Sequence, residues 1–318
     1  MSNQKIAVST YIFKSTHNNY TERKIMKLIL KDKIGEGAYG IVYNIETKSI
    51  EEHVIKIFKR PTIDNLILKE SSNLIPLETE NREILFYYKY INSKNYENNY
   101  IISAYAIGIL KSSLKTPSMT IHKNNYFIIL PKCIPFYEIF GIYNKPLINE
   151  KNGFIFTLTI MNRLLKASNY LEKIYDLTNL DLKLNNFMFP LKSNNLNDIV
   201  MLDFSIIKKK SKNKGDNIYY TDKKYYIWPL SPIVLDYIPS YSICINGIEL
   251  LFGNNKIRNI CEGDNKKRLN TINGFLNIIK KYDNYKNKPV YNIFYNGLII
   301  KITTIELIIL INNFLISR

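Results

Sequence analysis

Between residues 26 and 58 apolar and polar positions alternate in short runs. MKLIL, GIVYNI and HVIKIF are rich in β-branched and aromatic residues with turn residues between them. The pattern predicts strand, glycine turn, strand, polar loop, strand. In PLETENREILFYYKYI the spacing becomes helical, with glutamates in the early turns, and predicts a helix. NYFIILP reads as a buried strand ended by Pro131. Beyond Asn152, apolar and small residues recur at steps of three and four: Phe154, Leu158, Met161, Leu165, Ser168, Leu171 and Tyr175. This is one long helix with a buried stripe. Short strands follow around NFMF and DIVMLDF, then a lysine-rich loop and a helical run at YSICINGIELLFG. The order is β-rich first and α-rich second, with the changeover near Pro131 to Pro135. Asn/Ser/Lys-rich stretches at 92–99, 111–125 and 192–198 read as surface insertions.

A chain of 318 residues has room for one large domain or two lobes. Cys133, Cys244 and Cys261 are scattered without C-x-x-C spacing, which suits a reducing compartment and three small buried hydrophobes. The formal charge of +17 would attract any polyanion. Much of that excess accompanies an abundance of Lys, Asn, Ile and Tyr, the residues of AT-rich codons, so nucleic acid is not expected as the primary partner. The first twenty residues lack an apolar core of signal-peptide length. GLIIKITTIELIILINNFLIS is the one candidate membrane segment, but Lys301, Glu306, Asn312 and Asn313 interrupt it. It is expected to be an amphipathic core helix, with no transmembrane span.

Four places carry chemistry. IGEGAYGIV (Ile34, Gly35, Glu36, Gly37, Ala38, Tyr39, Gly40, then Val42) places glycines at a hairpin tip, where backbone N–H groups can approach phosphates without a Cβ in the way. The flanking strands separate it from a dinucleotide fingerprint, which needs a helix after the glycines. Lys56 lies on the following strand, with Ile55 and Ile57 expected on the opposite face and its amine beneath the hairpin. In NLDLKLNNF, Asp181 suits the acceptance of a hydroxyl proton and Lys183 the stabilisation of a transferred phosphoryl group. Asn186 there and Asp203 in MLDFS offer hard oxygen ligands for Mg²⁺. Each motif alone has a plain alternative: a hairpin turn, a solvated lysine, a polar turn, a strand end. Their order along one chain argues against coincidence.

Together they resemble the protein-kinase signature set of glycine loop, strand lysine, catalytic loop and D-F-G, over roughly residues 27–253. The resemblance implies an α+β, two-lobed protein-kinase-like fold, with a small β-rich N-lobe at 27–130 and a larger α-helical C-lobe at 131–318. Residues 1–26 would be an N-terminal extension. It implies an ATP-dependent serine/threonine protein kinase using Mg²⁺, or Mn²⁺ in its place, in the cytoplasm or nucleus. Lys56 matches the ATP-binding lysine, Asp181 the catalytic aspartate, and Asn186 and Asp203 the metal ligands. Lys183 marks the Ser/Thr-type loop. REILFYY resembles casein-kinase-like and vaccinia-related kinases and favours Glu83 as the partner of Lys56, with Glu80 as alternative. YFIILPKC resembles the strand entering the hinge, with Leu130 as gatekeeper and Pro131 to Cys133 against adenine.

Several positions depart from that pattern. Asn179 and Leu180 replace the loop His and Arg, and the loss of that Arg implies activity without activation-loop phosphorylation. Ser205 replaces the D-F-G glycine, Ile233 the glutamate after Ser231 and Pro232, and Pro239 falls near the central-helix aspartate. Ser205 and the altered stretch at 231–233 support the alternative of a pseudokinase acting as a nucleotide-binding scaffold or decoy, while Lys56, Asp181, Asn186 and Asp203 oppose it. DNKKRLN at 264–270 imitates a late kinase motif but follows Gly253 too soon. The lysines at 208, 209, 210, 212 and 214 suit acidic or pre-phosphorylated protein substrates.

Overall fold

A computed structural model describes residues 6–15, 21–37, 40–46, 52–59, 83–84, 86–87, 99–115, 120–136, 138, 146–193, 195–209, 217–218, 233–234, 237–253, 264–283 and 289–317. They belong to two compact units, Met1–Cys133 with Asp203–Ile206, and Ile134–Leu202 with Ile207–Arg318.

The first unit is built on six strands: β1 (Ile6–Ser15), β2 (Thr21–Glu36), β3 (Gly40–Glu46), β4 (His53–Phe58), β5 (Ala106–Leu110) and β8 (Tyr126–Pro131). Between the last two lies a small hairpin of β6 (Leu114–Lys115) and β7 (Thr120–Ile121). Strand order β1-β2-β3-β4-β8-β5 closes on itself as an antiparallel barrel. The length of β2 explains the geometry. Its first part pairs with β1, from Ser15↔Thr21 to Ile6↔Leu30, and its later part with β3, from Ile29↔Glu46 to Glu36↔Ile41. Register shifts between Leu30, Lys33 and Gly35 bend the strand as it changes partner. Pairing of Thr10 to Ile12 with Leu110 to Gly108 then seals the barrel and removes the exposed edges. Alternation fills the interior: Val8, Leu28, Leu30, Ile41, Tyr43, Ile45, Ile55, Ile57, Phe127 and Ile129 form one buried cluster.

This closed barrel overturns the two-lobed protein-kinase-like fold expected from the motifs. Residues 1–26 do not simply precede the strands: β1 and the start of β2 lie among them and complete the barrel. The strand character of IAVSTYIFKS is local, but the pairing that decides closure joins residues 10–12 to 108–110 and leaves no local pattern.

The second unit carries five described helices: α1 (Gly153–Tyr175), α2 (Ile238–Phe252), α3 (Asn265–Tyr282), α4 (Val290–Tyr295) and α5 (Thr304–Ile316). The stripe predicted on α1 is buried from Phe154 to Leu171, and the helix ends at Asp176 in the left-handed region (φ 56°). Every residue of α2 is buried. A Cβ on Gly247 would lie 2.5 Å from Met161 Sδ and 2.8 Å from Phe294 Cε1, so α2 packs on α1 and α4 through a bare backbone. The DNKKRLN stretch turns out to be a helix start: Asp264 caps α3 by accepting the Lys267 N–H at 2.8 Å. The apolar C-terminal stretch is interrupted. A π-helical turn at Asn296–Ile300 ends at Lys301 (φ 62°), and a Thr303–Glu306 capping box starts α5. Among the described residues no helix is long and apolar enough to cross a membrane.

Short strands support the loops of this unit. β10 (Leu177–Asn179) pairs with β13 (Ile207–Lys209), and β11 (Phe187–Pro190) lies between β12 (Val200–Met201) and β9 (Cys133–Pro135), where the chain enters the unit. β14 (Asn217–Ile218) pairs with β15 (Ile233–Val234).

Candidate functional site

The candidate residues form two groups, one in each unit. In the first unit Gly35 and Glu36 end β2, Gly40 opens β3, and the Gly37 N–H donates to Gly40 O at 2.9 Å to close the tip. Ala38 and Tyr39 lie outside the described residues. The glycines differ in what they permit. A Cβ on Gly40 would meet Ile57 O at 3.0 Å and the Lys56 stem at 3.4 Å, so Gly40 lets β3 lie close to the lysine. A Cβ on Gly37 would meet no atom of the described residues within 4 Å. Glu36 accepts from Lys33 at 3.0 Å and Lys59 at 2.7 Å, which together hold its carboxyl below the usual range.

Lys56 stands on β4 opposite Val42, between Ile55 and Ile57, whose side chains enter the barrel core. Period-two alternation puts Lys56 on the other face. Its Nζ donates to Glu83 Oε1 at 2.9 Å and Oε2 at 2.6 Å. Glu83 is 1 % exposed. Burial pushes its carboxyl up to about 7; Lys56 opposes the shift and the charge of Asp203 adds to it. Glu80, the other candidate partner, lies outside the described residues.

Described helical residues beyond Glu83 position Asp203. Phe86 stacks on Phe204 with ring centroids 3.9 Å apart, and Tyr87 meets the same ring edge-on at 5.5 Å. Asp203 adopts φ 58°, a left-handed conformation that costs a non-glycine residue energy and recurs at functional sites. Its Oδ1 accepts the Ser205 N–H at 3.1 Å, an Asx turn. Ser205 has no positive φ, so nothing at this position demands glycine. Ile34 is exposed at the end of β2, whereas Leu130 is buried on β8 opposite Val54. Cys133 is partly buried and its thiol is pushed up to about 12, so it stays protonated.

In the second unit, Leu180, Leu182 and Leu184 are buried at alternate positions, and Asp181 and Lys183 fall between them. The leucines anchor the segment up to the 3-10 turn at Leu184–Asn186; Asp181 is itself buried, whereas Lys183 is half-buried. Side-chain amides then fix Asp181. Asn179 Oδ1 accepts the Asp181 N–H at 2.9 Å, and Asn186 Nδ2 donates to Asp181 O at 2.7 Å and Oδ2 at 3.0 Å. Lys183 Nζ donates to Asp181 Oδ2 at 2.6 Å. With both amide hydrogens of Asn186 committed to Asp181, its oxygen is the atom left to act as a ligand. Asn179, which replaces the expected His, thus does scaffolding of its own. Leu180, which replaces the Arg, is a buried anchor.

Two further residues escaped the motif reading. Asn246 of α2 donates from Nδ2 to Leu182 O at 2.7 Å, and Arg163 of α1 donates from Nε to Ile199 O at 3.1 Å, bracing the segment before β12. The lone amide in the apolar run ICINGI was the available signal for Asn246. The Leu202 N–H donates to Asn186 O at 2.8 Å, and Asp203 is the next residue of the chain. Ser231, Pro232, Lys210, Lys212 and Lys214 lie outside the described residues. Pro239 sits in the first turn of α2, where proline is well tolerated.

The Asn186 oxygen in the second unit and the Asp203 carboxylate in the first are each hard donors of the kind Mg²⁺ takes, one or two at a time, beside phosphate oxygens and water. Among the described residues there is no cluster of three His, Cys, Asp or Glu that would hold a metal without such a substrate. No protein-family model matches this chain, and no curated protein does.

Proposed function

We propose that the chain is an ATP-dependent serine/threonine protein kinase. The reading rests on the residues and is independent of the two-lobed architecture that the barrel excludes. The observation that carries it is the Lys56–Glu83 pair, a strand lysine beside a glycine hairpin whose ammonium is fixed by a buried carboxylate at 2.6 Å. A cation oriented in this way suits the oxygens of a polyphosphate better than a mobile surface lysine does, because its ordering entropy is already spent.

In this mechanism Lys56 and the hairpin N–H groups would bind the phosphates, and Asn186 and Asp203 would each offer an oxygen to the metal. Bound Mg²⁺ supplies charge neutralisation at the phosphate oxygens. Asp181 accepts a hydrogen bond from the substrate hydroxyl and takes its proton as the oxygen attacks the γ-phosphorus and ADP leaves. Lys183 partners Asp181 and lies beside the transferred group. No cation at position 180 awaits a phosphorylated segment, which fits activity without prior phosphorylation. Lysine-rich sequence around β13 fits protein substrates that are acidic or already phosphorylated.

The test is transfer from radiolabelled ATP to casein, to a basic protein and to the enzyme itself, for wild type, Lys56→Met and Asp203→Ala. Label that depends on Lys56 and Asp203 is the expected result. Nucleotide binding without transfer would leave the scaffold reading, and neither binding nor transfer would remove both.

A further inference from the structure

Asn246 is wholly buried in the middle of a helix whose other residues are buried and mostly apolar. Its Nδ2 reaches Leu182 O, in the peptide that joins Leu182 to Lys183, one peptide beyond the one that leaves Asp181. Its Oδ1 is buried and has no hydrogen-bond partner among the described residues. An amide in such a place costs free energy that a leucine of similar size would not. Packing therefore does not account for an asparagine here, whereas the bond to Leu182 does.

The geometry of α2 makes that bond a rigid one. Gly247, the next residue, lets the helix backbone lie against Met161 and Phe294. Cys244 fills the space beside Gly297, where a Cβ would come within 2.2 Å of its Sγ. Clamped on these sides, α2 has little freedom to slide or rotate. A donor carried on it is a fixed point for the loop. The side-chain amides that hold Asp181, from Asn179 and Asn186, come from within the segment 179–186 itself, while the Leu202 N–H and the pairing of β10 with β13 hold its two ends. Asn246 is the described side chain that ties this segment's backbone to the long buried helix.

We propose that Asn246 is a positioning residue for phosphoryl transfer, holding the Asp181–Lys183 peptide in register through Leu182 O. This deepens the kinase reading and rests on it for its effect on rate. Asn246→Asp is nearly isosteric but has no N–H to offer and sets an oxygen against Leu182 O. In this variant kcat should fall roughly 10-fold to 10²-fold, as expected when a reacting group is misplaced by less than an ångström or so. KM for ATP and the nucleotide Kd should stay within about two-fold, since Lys56 and Glu83 belong to the other unit.

Hydrogen exchange gives a readout without turnover. The Asp181 and Asn186 amides, each bonded inside the loop, should exchange faster in the variant, while α1 and the barrel strands keep wild-type protection. If Asn246→Asp fails to fold, Asn246→Leu removes the donor without burying a charge and is read in the same way. A wild-type protein that transfers no phosphate would defeat the kinase reading, and exchange would still decide whether Asn246 holds the loop. A folded variant with unchanged exchange at Asp181 and Asn186 and unchanged kcat would overturn the proposal.

Discussion

Lys56 and Asp181 each have partners closer than 3 Å, but the partners differ in kind. The buried carboxylate of Glu83 holds Lys56, and burial of that carboxylate disfavours the charge the pair depends on. Asp181 has its carboxylate paired with Lys183, its backbone is held by neutral amides from Asn179 and Asn186, and the Leu182 carbonyl one residue on is held by Asn246. Amide hydrogen bonds do not titrate, and several share the work, so the loop should respond gradually to single changes in its frame. The lysine pair depends on one ionisation and should respond to pH and to single substitutions together. A position fixed by one charge is a switch; a position fixed by many dipoles is a scaffold.

The largest effect tests the acid–base group itself. Asp181→Ala should lower the transfer rate by about 10² to 10⁴, the range for a positioned proton acceptor. Nucleotide affinity should remain near wild type, as measured by equilibrium binding. Near-normal turnover would sink the assignment. Lys56→Met should give the opposite split, with nucleotide bound about 10-fold to 10²-fold more weakly through loss of charge-assisted bonds. The barrel should nevertheless stay folded. Removing one partner of a buried pair is usually severe because a charge is stranded, but burial already raises the Glu83 carboxyl to about 7, and without the opposing charge of Lys56 it can keep its proton.

That neutral form predicts a sign for pH. The folded state binds the Glu83 proton more tightly than the unfolded chain does, so the contribution of this residue to stability is complete below the ordinary value of 4.5. It is lost as pH rises toward about 7. Thermal melts across that window should show stability falling with pH in wild type. The same component should be absent in Glu83→Gln and displaced to higher pH in Lys56→Met, where the opposing cation is gone. A wild-type profile with the reverse slope in this component would contradict the buried pair. Asp181 variants should leave it unchanged, which separates the two regions.

The two regions also differ in how far the sequence reveals them. Alternation in GIVYNI and HVIKIF shows which face Lys56 occupies, and the buried stripe of α1 follows from spacing of three and four. These are local patterns set by the periods of strand and helix. Barrel closure is invisible to them, because Thr10 to Ile12 meet partners at 108–110 and either strand would look the same with an exposed edge. The motifs resemble those of an architecture that the closed barrel contradicts; a site pattern constrains side chains and leaves the fold open. In the loop, Asp181, Lys183 and Asn186 stand out by spacing. The role of Asn246 depends on a hydrogen bond across 64 positions of sequence. Asn179 reads as a loss against the kinase pattern, yet its side chain caps the Asp181 N–H.

The smallest effects lie in the hairpin, where two glycines separate packing from ligand approach. Gly40→Ala places a Cβ 3.0 Å from Ile57 O and 3.4 Å from the Lys56 stem. Backbone on one side leaves little room to yield, so about 1 to 3 kcal/mol of stability should be lost. Nucleotide binding should suffer indirectly as Lys56 shifts. Gly37→Ala adds a methyl that touches no atom of the described residues and sits at no positive φ. Its stability should stay within about 0.5 kcal/mol of wild type. If the hairpin backbone approaches phosphates, the same methyl stands in their path, and ATP should bind more weakly with no change in melting temperature. Equal ATP affinity in Gly37→Ala and wild type would show that the hairpin tip does not touch the nucleotide. Lys56 and Glu83 would then carry phosphate recognition in the first unit without it.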